Sequence, residues 1–323
     1  MLLGTAGGPL PSPVRAGIAS AVVVGERVLL VDCGSGVTRQ LRRARLLKQL
    51  DSVFLTHLHS DHDCDYFNLF LLGWPILQWN PPVRVFGPGP AGGRAALPAD
   101  PEGAPRPPLV APDHPTPGLL DLTSLQTRAH AYDLNVRMRD AGRSDLAGLI
   151  DAHEIALPPG VDAAGPDRVA PPMEPFGVHE DADVRVTAIL VAHAPVFPSF
   201  AFRFDTAAGS VVVSGDTAPS PNLVALARGA DVLVHEVFDD SGDPDAGEAL
   251  SWQEQQQQQH LLSSHTPLSA VGKVAAEADV GRLVLTHFVP GDDVLAEDHW
   301  VKGASREFDG EVIAGADLLE VVI

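Results

Sequence analysis

Three histidines and an aspartate fall within six residues, at His57, His59, Asp61 and His62. They follow residues 53–56, a short apolar stretch typical of a buried strand. Neutral imidazole and carboxylate groups are ligands for zinc and similar divalent metals. Without a metal, these imidazoles would repel one another when protonated and would cost desolvation free energy when buried. The cluster therefore predicts a metal site at the end of a strand.

Four more short apolar runs end in a side chain that can bind a metal or transfer a proton. The runs at residues 184–192, 211–215, 231–234 and 282–286 lead into His193, Asp216, His235-Glu236 and His287. Between them, residues 39–50, 220–229 and 268–279 have the periodicity of amphipathic helices. Strands that alternate with helices predict an α/β layered fold, and polar groups at the strand ends predict a site along one sheet edge.

The charge balance favours some partners over others. The chain has 323 residues, with 22 Lys and Arg against 42 Asp and Glu, a formal net charge of −20. Phosphate binding needs a basic footprint, so this balance argues against nucleic acid as the main partner. The two cysteines, Cys33 and Cys64, cannot build a disulfide framework. No apolar run is long enough to span a membrane and no signal-peptide pattern opens the chain, so we expect a cytoplasmic protein.

Proline is concentrated in one part of the chain. Of the 29 prolines, 18 lie between Pro81 and Pro175. Such a stretch favours turns and extended segments over regular elements. We therefore interpret residues 1–323 as a single domain in which residues 88–180 form an insertion or cap. The alternative is a long surface excursion without a functional role.

The His-x-His-x-Asp-His motif after a strand resembles the metallo-β-lactamase superfamily. The remaining motifs of that family occur here in the same order. They are Asp32-Cys33-Gly34, His193, Asp216 within Ser214-Gly215-Asp216-Thr217, and His287. The resemblance implies a four-layer αβ/βα sandwich that holds two divalent metal ions, with zinc as the default and manganese or iron as alternatives.

The same resemblance implies a role for each motif residue. His57, His59 and His193 would hold one metal, Asp61, His62 and His287 the other, and Asp216 would bridge the two. Asp61 is also counted among the catalytic residues. Asp32 would orient a ligand histidine or its loop. Two neighbouring metals can stabilise both the attacking and the leaving oxygen of a displacement.

Two further segments resemble the ribonuclease Z branch, which also includes arylsulfatase-like enzymes. They are residues 230–237, which contain Glu236, and residues 263–266, which contain His265. In that branch the glutamate orients a histidine that meets the substrate, so His265 would protonate the leaving oxygen. The alternatives are a buried structural carboxylate for Glu236 and a residue beside a helix start for His265. We expect His235 to be structural.

One departure from the branch bears on the substrate. Only 22 residues separate His193 from Asp216, and residues 199–213 read as two strands and a turn. This spacing leaves no room for the basic, glycine-rich arm on which bacterial tRNA processing depends in this branch. Together with the acidic charge balance, it leads us to expect a small-molecule ester substrate and not nucleic acid.

The sequence therefore predicts a dinuclear metal hydrolase that cleaves a small phosphodiester, sulfate or related ester. Three alternatives stay open: a lactonase or β-lactamase-like hydrolase, a tRNA 3′-processing endonuclease, and a non-catalytic binding module. We expect no membrane partner. Dimers are frequent in the branch, which leaves a homodimer as an option.

Overall fold

The computed structural model describes residues 1–93, 108–161, 168–241, 252–292 and 294–323, with backbone alone for residues 252–257. These residues contain two β-sheets. The first sheet has the strand order β1-β2-β3-β4-β5-β6. Its strands are β1 (Leu2–Gly4), β2 (Ala19–Val24), β3 (Arg27–Val31), β4 (Leu50–Phe54), β5 (Val83–Pro88) and β6 (Ile150–Ile155).

The second sheet has the order β13-β12-β11-β10-β9-β8-β7. Its strands are β7 (Phe176–Glu180), β8 (Val184–Leu190), β9 (Phe200–Thr206), β10 (Ser210–Val213), β11 (Val232–Phe238), β12 (Arg282–Val289) and β13 (Glu311–Ala314). Strands β3 to β6 are parallel in the first sheet, and β10 to β13 are parallel in the second. Parallel strands bring their carboxyl ends to one edge, which is where the sequence places the polar side chains.

Strands β2 and β3 form a tight hairpin. Val24 pairs with Arg27, so the turn consists of Gly25 and Glu26 alone. Gly25 has φ 61°, a left-handed conformation that glycine adopts without steric cost.

The helices of the described residues are α1 (Val37–Ala44), α2 (Ser60–Asp63), α3 (Tyr66–Leu77), α4 (Leu119–Ala129), α5 (Ala131–Asp140), α6 (Pro221–Ala227), α7 (Trp252–Ser264), α8 (Leu268–Glu277) and α9 (Glu297–Ala304). One apolar core joins α1 and α3 to the first sheet, and another joins α6, α8 and α9 to the second. None of the helices described is long and apolar enough to cross a lipid bilayer.

A third apolar core lies between the two sheets and includes a cluster of phenylalanine rings. The Phe54 ring stacks on that of Phe86 with centroids 5.0 Å apart, and it meets Phe202 and Phe204 edge-on at 5.5 and 5.3 Å. Such aromatic pairs add about 0.5–1.5 kcal/mol each beyond their hydrophobic burial. With helices outside and two sheets inside, the expected αβ/βα sandwich is confirmed.

The proline-rich range, residues 88–180, contributes to this sandwich as well as extending beyond it. Its strand β6 pairs in parallel with β5, and its strand β7 pairs antiparallel with β8. Each is therefore an edge strand of one sheet. Helices α4 and α5 lie between them in sequence, and Leu119 and Leu134 join the core of the first sheet. Residues 94–107 and 162–167 of the expected insertion lie outside the described residues.

Candidate metal centre

The polar side chains at the strand ends meet at one edge of the sandwich. His57 follows β4, His193 follows β8, Asp216 follows β10, and His287 lies within β12. Among the described residues, three groups of candidate ligand atoms form, and within each group all atoms lie within 4.8 Å of one another. Two of these groups are the ligand sets His57, His59, His193 and Asp216, and Asp61, His62, Asp216 and His287. The third group, Asp216, Glu236, His265 and His287, adjoins them. The structure thus brings together all seven expected ligands.

Asp216 belongs to both sets and lies between them. Its Oδ2 atom is 3.8 Å from His57 Nε2 and 3.2 Å from His62 Nε2. The same oxygen is 4.0 Å from His193 Nε2. Its other oxygen, Oδ1, is 3.3 Å from His287 Nε2. One carboxylate is therefore within reach of imidazoles from both sets.

The remaining contacts lie within each set. In the first, His193 Nε2 is 3.2 Å from His59 Nδ1. In the second, Asp61 Oδ2 is 3.3 Å from His287 Nε2 and 3.6 Å from His62 Nε2. Each set offers nitrogen and carboxylate donors that converge on one point, the mixed donor set that zinc and its neighbours accept.

The outer ring nitrogens of the histidines are held by neighbouring groups. His62 Nδ1 is 2.8 Å from Asp32 Oδ2, and Asp32 also accepts hydrogen bonds from the backbone and hydroxyl of Thr56. The Thr56 hydroxyl is 3.0 Å from His57 Nδ1. His193 Nδ1 donates to the backbone oxygen of Ser264 at 2.9 Å. Partners of this kind fix the ring orientation and leave Nε2 free to bind a metal.

Several buried polar atoms at the centre of the site have no hydrogen-bond partner among the described residues. They include His57 Nε2, His62 Nε2 and Asp216 Oδ1. The three side chains are at most 2% exposed. Buried polar atoms in folded proteins normally have a hydrogen-bond partner. A bound cation can take the place of that partner, because it accepts the lone pairs of these nitrogen and oxygen atoms. The cluster therefore fits a divalent metal site.

The electrostatics of the cluster favour neutral imidazole in one set. Burial lowers the pKa of His57 far below its usual value and lowers the pKa of His193 to about 3. Burial opposes ionisation of Asp216, yet His287 and His62 lower its pKa well below the usual range. Neutral imidazole and ionised carboxylate are the forms that bind metals.

In the other set, burial alone would lower the pKa of His62, but the negative charges of Asp216 and Asp32 raise it well above its usual value. The two carboxylates therefore stabilise a positive charge at the buried position of the His62 ring. A proton on the ring satisfies them in part, and a divalent cation would satisfy them more completely.

A buried ion pair adjoins the two ligand sets. His265 Nδ1 is 2.8 Å from Oε2 and 3.1 Å from Oε1 of Glu236 in β11. Glu236 Oε1 also accepts the backbone N–H of Thr217 at 2.6 Å. Burial would lower the pKa of His265, but the Glu236 charge and hydrogen bond raise it to about 9. The ring centroid of His265 lies 5.1 Å from that of His193, so a protonated donor stands beside the cluster.

Other residues near the site could not be found from their local sequence. His260 in α7 has its ring 5.7 Å from that of His265, yet it sits in a glutamine-rich helix without a recognisable motif. Thr56 directly precedes the histidine motif, and its hydrogen bonds to Asp32 form only in the folded structure. His235 is fully buried, donates from Nδ1 to the Glu236 backbone oxygen, and belongs to none of the ligand sets.

Comparison with known families identifies the class of protein. The model of the metallo-β-lactamase superfamily matches residues 14–287. The chain therefore belongs to the metallo-β-lactamase superfamily. Its fold and site, together with the relatives below, define a metal-dependent hydrolase that acts on ester bonds.

Individual relatives narrow the comparison. The chain is 33% identical over 327 aligned residues to a protein named ribonuclease Z from Mycobacterium avium, an alignment that covers 100% of this chain and 97% of the relative. It is 31% identical over the same span to ribonuclease Z from Mycobacterium tuberculosis. Among solved structures, human tRNase Z, short form, superposes with a TM-score of 0.60 at 20% identity, covering 100% and 98% of the two chains. The latter likeness shows the fold alone.

These relatives overturn one expectation. The expectation of a small-molecule ester substrate in preference to nucleic acid is wrong, because the relatives that match the whole chain are named ribonuclease Z. The physical reason is that a net charge of −20 is a sum over the whole surface and says nothing about a local basic face. The missing arm likewise concerns one segment between His193 and Asp216, and other surfaces can carry cations.

Proposed function

We propose that this chain is a ribonuclease Z, a metal-dependent endonuclease that cleaves a phosphodiester bond at the 3′ side of precursor tRNA. The observation that carries the proposal is the Glu236–His265 ion pair beside the two metal-ligand sets. A departing ribose oxygen requires a proton, and this pair holds an imidazole that can donate one beside the ligand sets. Similarity to ribonuclease Z over the full chain supports the same assignment.

In this proposal the two ligand sets would hold two divalent cations. His57, His59 and His193 would hold one, Asp61, His62 and His287 would hold the other, and Asp216 belongs to both sets. Zinc is the default metal for these donors, and manganese and iron accept the same groups. When bound, the cations supply Lewis-acid activation of a water and of the scissile phosphate.

The protein residues supply orientation and a proton. Asp32 and Thr56 hold the rings of His62 and His57, so their Nε2 atoms stay aimed at the metal positions without reorganisation. Glu236 keeps His265 protonated, because its charge lies 2.8 Å from Nδ1. His265 then donates a proton to the leaving oxygen as the phosphodiester bond breaks.

A test combines metal analysis with four substrates. Purified protein loaded with Zn²⁺ or Mn²⁺ is assayed on a precursor tRNA with a 3′ trailer, bis-p-nitrophenyl phosphate, a lactone and a chromogenic cephalosporin. We expect cleavage of the precursor at a single position. Rapid turnover of the lactone or the cephalosporin without any cleavage of the precursor would overturn the proposal.

Variants connect this activity to the site. Asp216→Ala removes the carboxylate shared by both sets, so it should abolish both metal retention, measured by elemental analysis, and precursor cleavage. The control is His299→Ala, because His299 pairs with Asp239 outside the ligand sets. Metal retention by Asp216→Ala equal to that of the wild type would contradict the ligand assignment.

A further inference from the structure

One segment of this acidic chain contains only basic charges. Residues 33–50 contain no Asp or Glu, although the whole chain has 42 of them. The same segment carries five of the 22 basic residues: Arg39, Arg42, Arg43, Arg45 and Lys48. We call these five side chains the α1 basic face. An uninterrupted positive segment in a chain of net charge −20 concentrates the cations where a polyanion could use them.

The helix orients most of these cations toward solvent. The buried side of α1 consists of Val37, Thr38, Gln40 and Leu41. The basic residues Arg39, Arg42 and Arg43 lie at positions three and four apart, which share one side of a helix, and all three are exposed. Arg45 and Lys48, which follow α1, are exposed as well.

These cations lack acidic partners in the part of the chain that the structure describes. Among the described residues, none forms an ion pair with any of the five, and Arg43 instead donates a hydrogen bond to Gln40 Oε1 at 2.9 Å. Other arginines differ: Arg27 and Arg84 both contact Asp51. Guanidinium groups without an internal partner remain available for external anions, and their planar fork matches phosphate oxygens.

The start of α1 is joined to the loop that carries the metal ligands. The Cys33 backbone N–H donates to the His62 oxygen at 2.7 Å, and the Gly36 N–H donates to Asp65 Oδ2 at 2.7 Å. Gly34 lies so close that a Cβ there would be 2.6 Å from the Asp61 backbone oxygen. At 1.5 Å per residue, α1 then extends about 12 Å away from this loop.

We infer that the α1 basic face binds the phosphate backbone of the tRNA substrate. The inference rests on the proposed function and adds to it the surface that holds the substrate. Its charge complements a polyanion, and α1 begins beside the loop that carries the metal ligands. Phosphate contacts position a nucleic acid without reading its sequence. They would serve here in place of a basic arm between His193 and Asp216.

The test compares two triple variants of equal charge change. Arg39→Gln/Arg42→Gln/Arg43→Gln removes three cations of the face and retains helix-forming residues. The control, Arg185→Gln/Arg228→Gln/Arg306→Gln, removes three exposed cations from other places in the chain. For each protein, kcat/KM on precursor tRNA is divided by kcat/KM on bis-p-nitrophenyl phosphate, and binding of mature tRNA is measured by fluorescence anisotropy across a salt series.

For the α1 variant we expect the ratio of kcat/KM values to fall by about tenfold or more, through KM. The plot of log affinity against log salt concentration has a negative slope, and its magnitude should decrease by about 2–3 in this variant. Each lost phosphate contact removes about one counterion that binding would release. The control variant should retain the wild-type ratio and slope. If the α1 variant also retains both while the wild type cleaves precursor tRNA, the inference fails and the proposed function stands.

Two other outcomes are separable. If wild-type protein neither binds tRNA nor cleaves the precursor, the proposed function falls and the inference falls with it. If the α1 variant changes the oligomeric state, measured by light scattering, and tRNA binding changes only in proportion, the face is a contact between copies of this chain and the inference is overturned.

Discussion

At the scale of single residues, the ligand histidines are held in place by neighbouring side chains that are not themselves in the ligand sets. Asp32 accepts hydrogen bonds from Thr56 and from His62, and it has φ 63°, which is uncommon for a residue other than glycine. The surrounding contacts hold it in this conformation. The carboxylate that sets the orientation of His62 is therefore itself fixed before any metal arrives.

We expect Asp32→Asn to weaken metal binding by about 10–100-fold, the usual cost of losing such a partner of a ligand histidine. The amide is neutral and no longer polarises the His62 ring. The measurement is competition with a chelator of known affinity. Asp63→Asn is the control, since Asp63 neighbours the motif and belongs to neither ligand set. Equal metal affinity in both variants would remove Asp32 from the site.

His265 should affect turnover and leave metal content intact. We expect His265→Ala to lower kcat on precursor tRNA by about 100-fold to 10,000-fold, the range for loss of a general acid. His260→Ala serves as the matched control, because its ring lies 5.7 Å from that of His265 and it has no carboxylate partner in the described structure. A loss of bound metal in His265→Ala would show a ligand role in place of proton donation.

The residues of the site divide into those that sequence reasoning can find and those it cannot. His57 and Asp216 follow apolar runs, so the alternation of strand and polar end suggests them directly. Their grouping by metal came from family resemblance. The roles of Thr56, His260 and the Ser264 oxygen depend on which strand ends come together in the folded chain. The local sequence does not contain that information.

At the scale of elements, close approach between α8 and α9 depends on two glycines. A Cβ at Gly272 would lie 2.0 Å from the Ala304 backbone oxygen, and one at Gly303 would lie 2.5 Å from Leu268 Cγ. Neither contact is physically acceptable. Helices α8 and α9, two of the three that pack on the second sheet, are therefore in close backbone contact at this crossing. This contact brings the Trp300 ring onto that of Phe288 at the end of β12.

Gly272→Ala should destabilise the protein by about 1–3 kcal/mol, the cost of overpacking a close contact. The neighbouring atom is a backbone oxygen and cannot rotate away. The measurement is the urea unfolding midpoint. Gly148→Ala is the control, because nothing lies within 4 Å of a Cβ there. Equal midpoints for the two variants would contradict the close packing of α8 on α9.

Elements were predictable where periodicity is strong. Residues 268–279 have a clear apolar face, and α8 spans Leu268–Glu277. The elements within residues 88–180 were not predictable. Helices α4 and α5 each bury a single residue, Leu119 and Leu134, so neither has a continuous apolar face. Strands β6 and β7 are edge strands with few apolar positions. Edge strands need only one buried face, so their sequence signal is weak.

At the scale of the whole molecule, an ion-pair network lies where β3 approaches the turn before β8. Arg27 Nη2 is 2.6 Å from Asp181, Nη1 is 3.2 Å from Asp183, and Nε is 3.4 Å from Asp51. Asp51 belongs to the first sheet, whereas Asp181 and Asp183 lie between two strands of the second. The network therefore connects the sheets by charge as well as by their shared apolar core.

Arg27→Gln should cost about 1 kcal/mol of stability at pH 7, at the upper end for partly exposed pairs. The hydrogen bond from Arg27 lowers the pKa of Asp181 well below its usual value. A carboxyl with a lowered folded pKa stabilises above its unfolded pKa and loses this contribution as pH falls. The difference between the variant and wild type should therefore shrink between pH 5 and pH 3.

Urea unfolding at several pH values measures this effect. The control is Arg185→Gln, whose partner Glu180 is 4.0 Å away and largely exposed. We expect that control to lie within a few tenths of a kcal/mol of wild type at every pH. A constant Arg27→Gln deficit across the pH range would indicate lost packing in place of lost charge.

The position of Asp216 between two groups of imidazoles has a consequence for how proteins of this family can lose activity during evolution. Asp216 contributes a ligand atom to both sets, so under the proposed function its loss would remove a metal ligand from each set at once. A gene copy could lose its chemistry by a change in a single codon while the two sheets, their helices and their cores persisted unaltered. Among proteins of this shape, the residue after Ser214-Gly215 is therefore the first place to look when asking whether a member still acts as an enzyme.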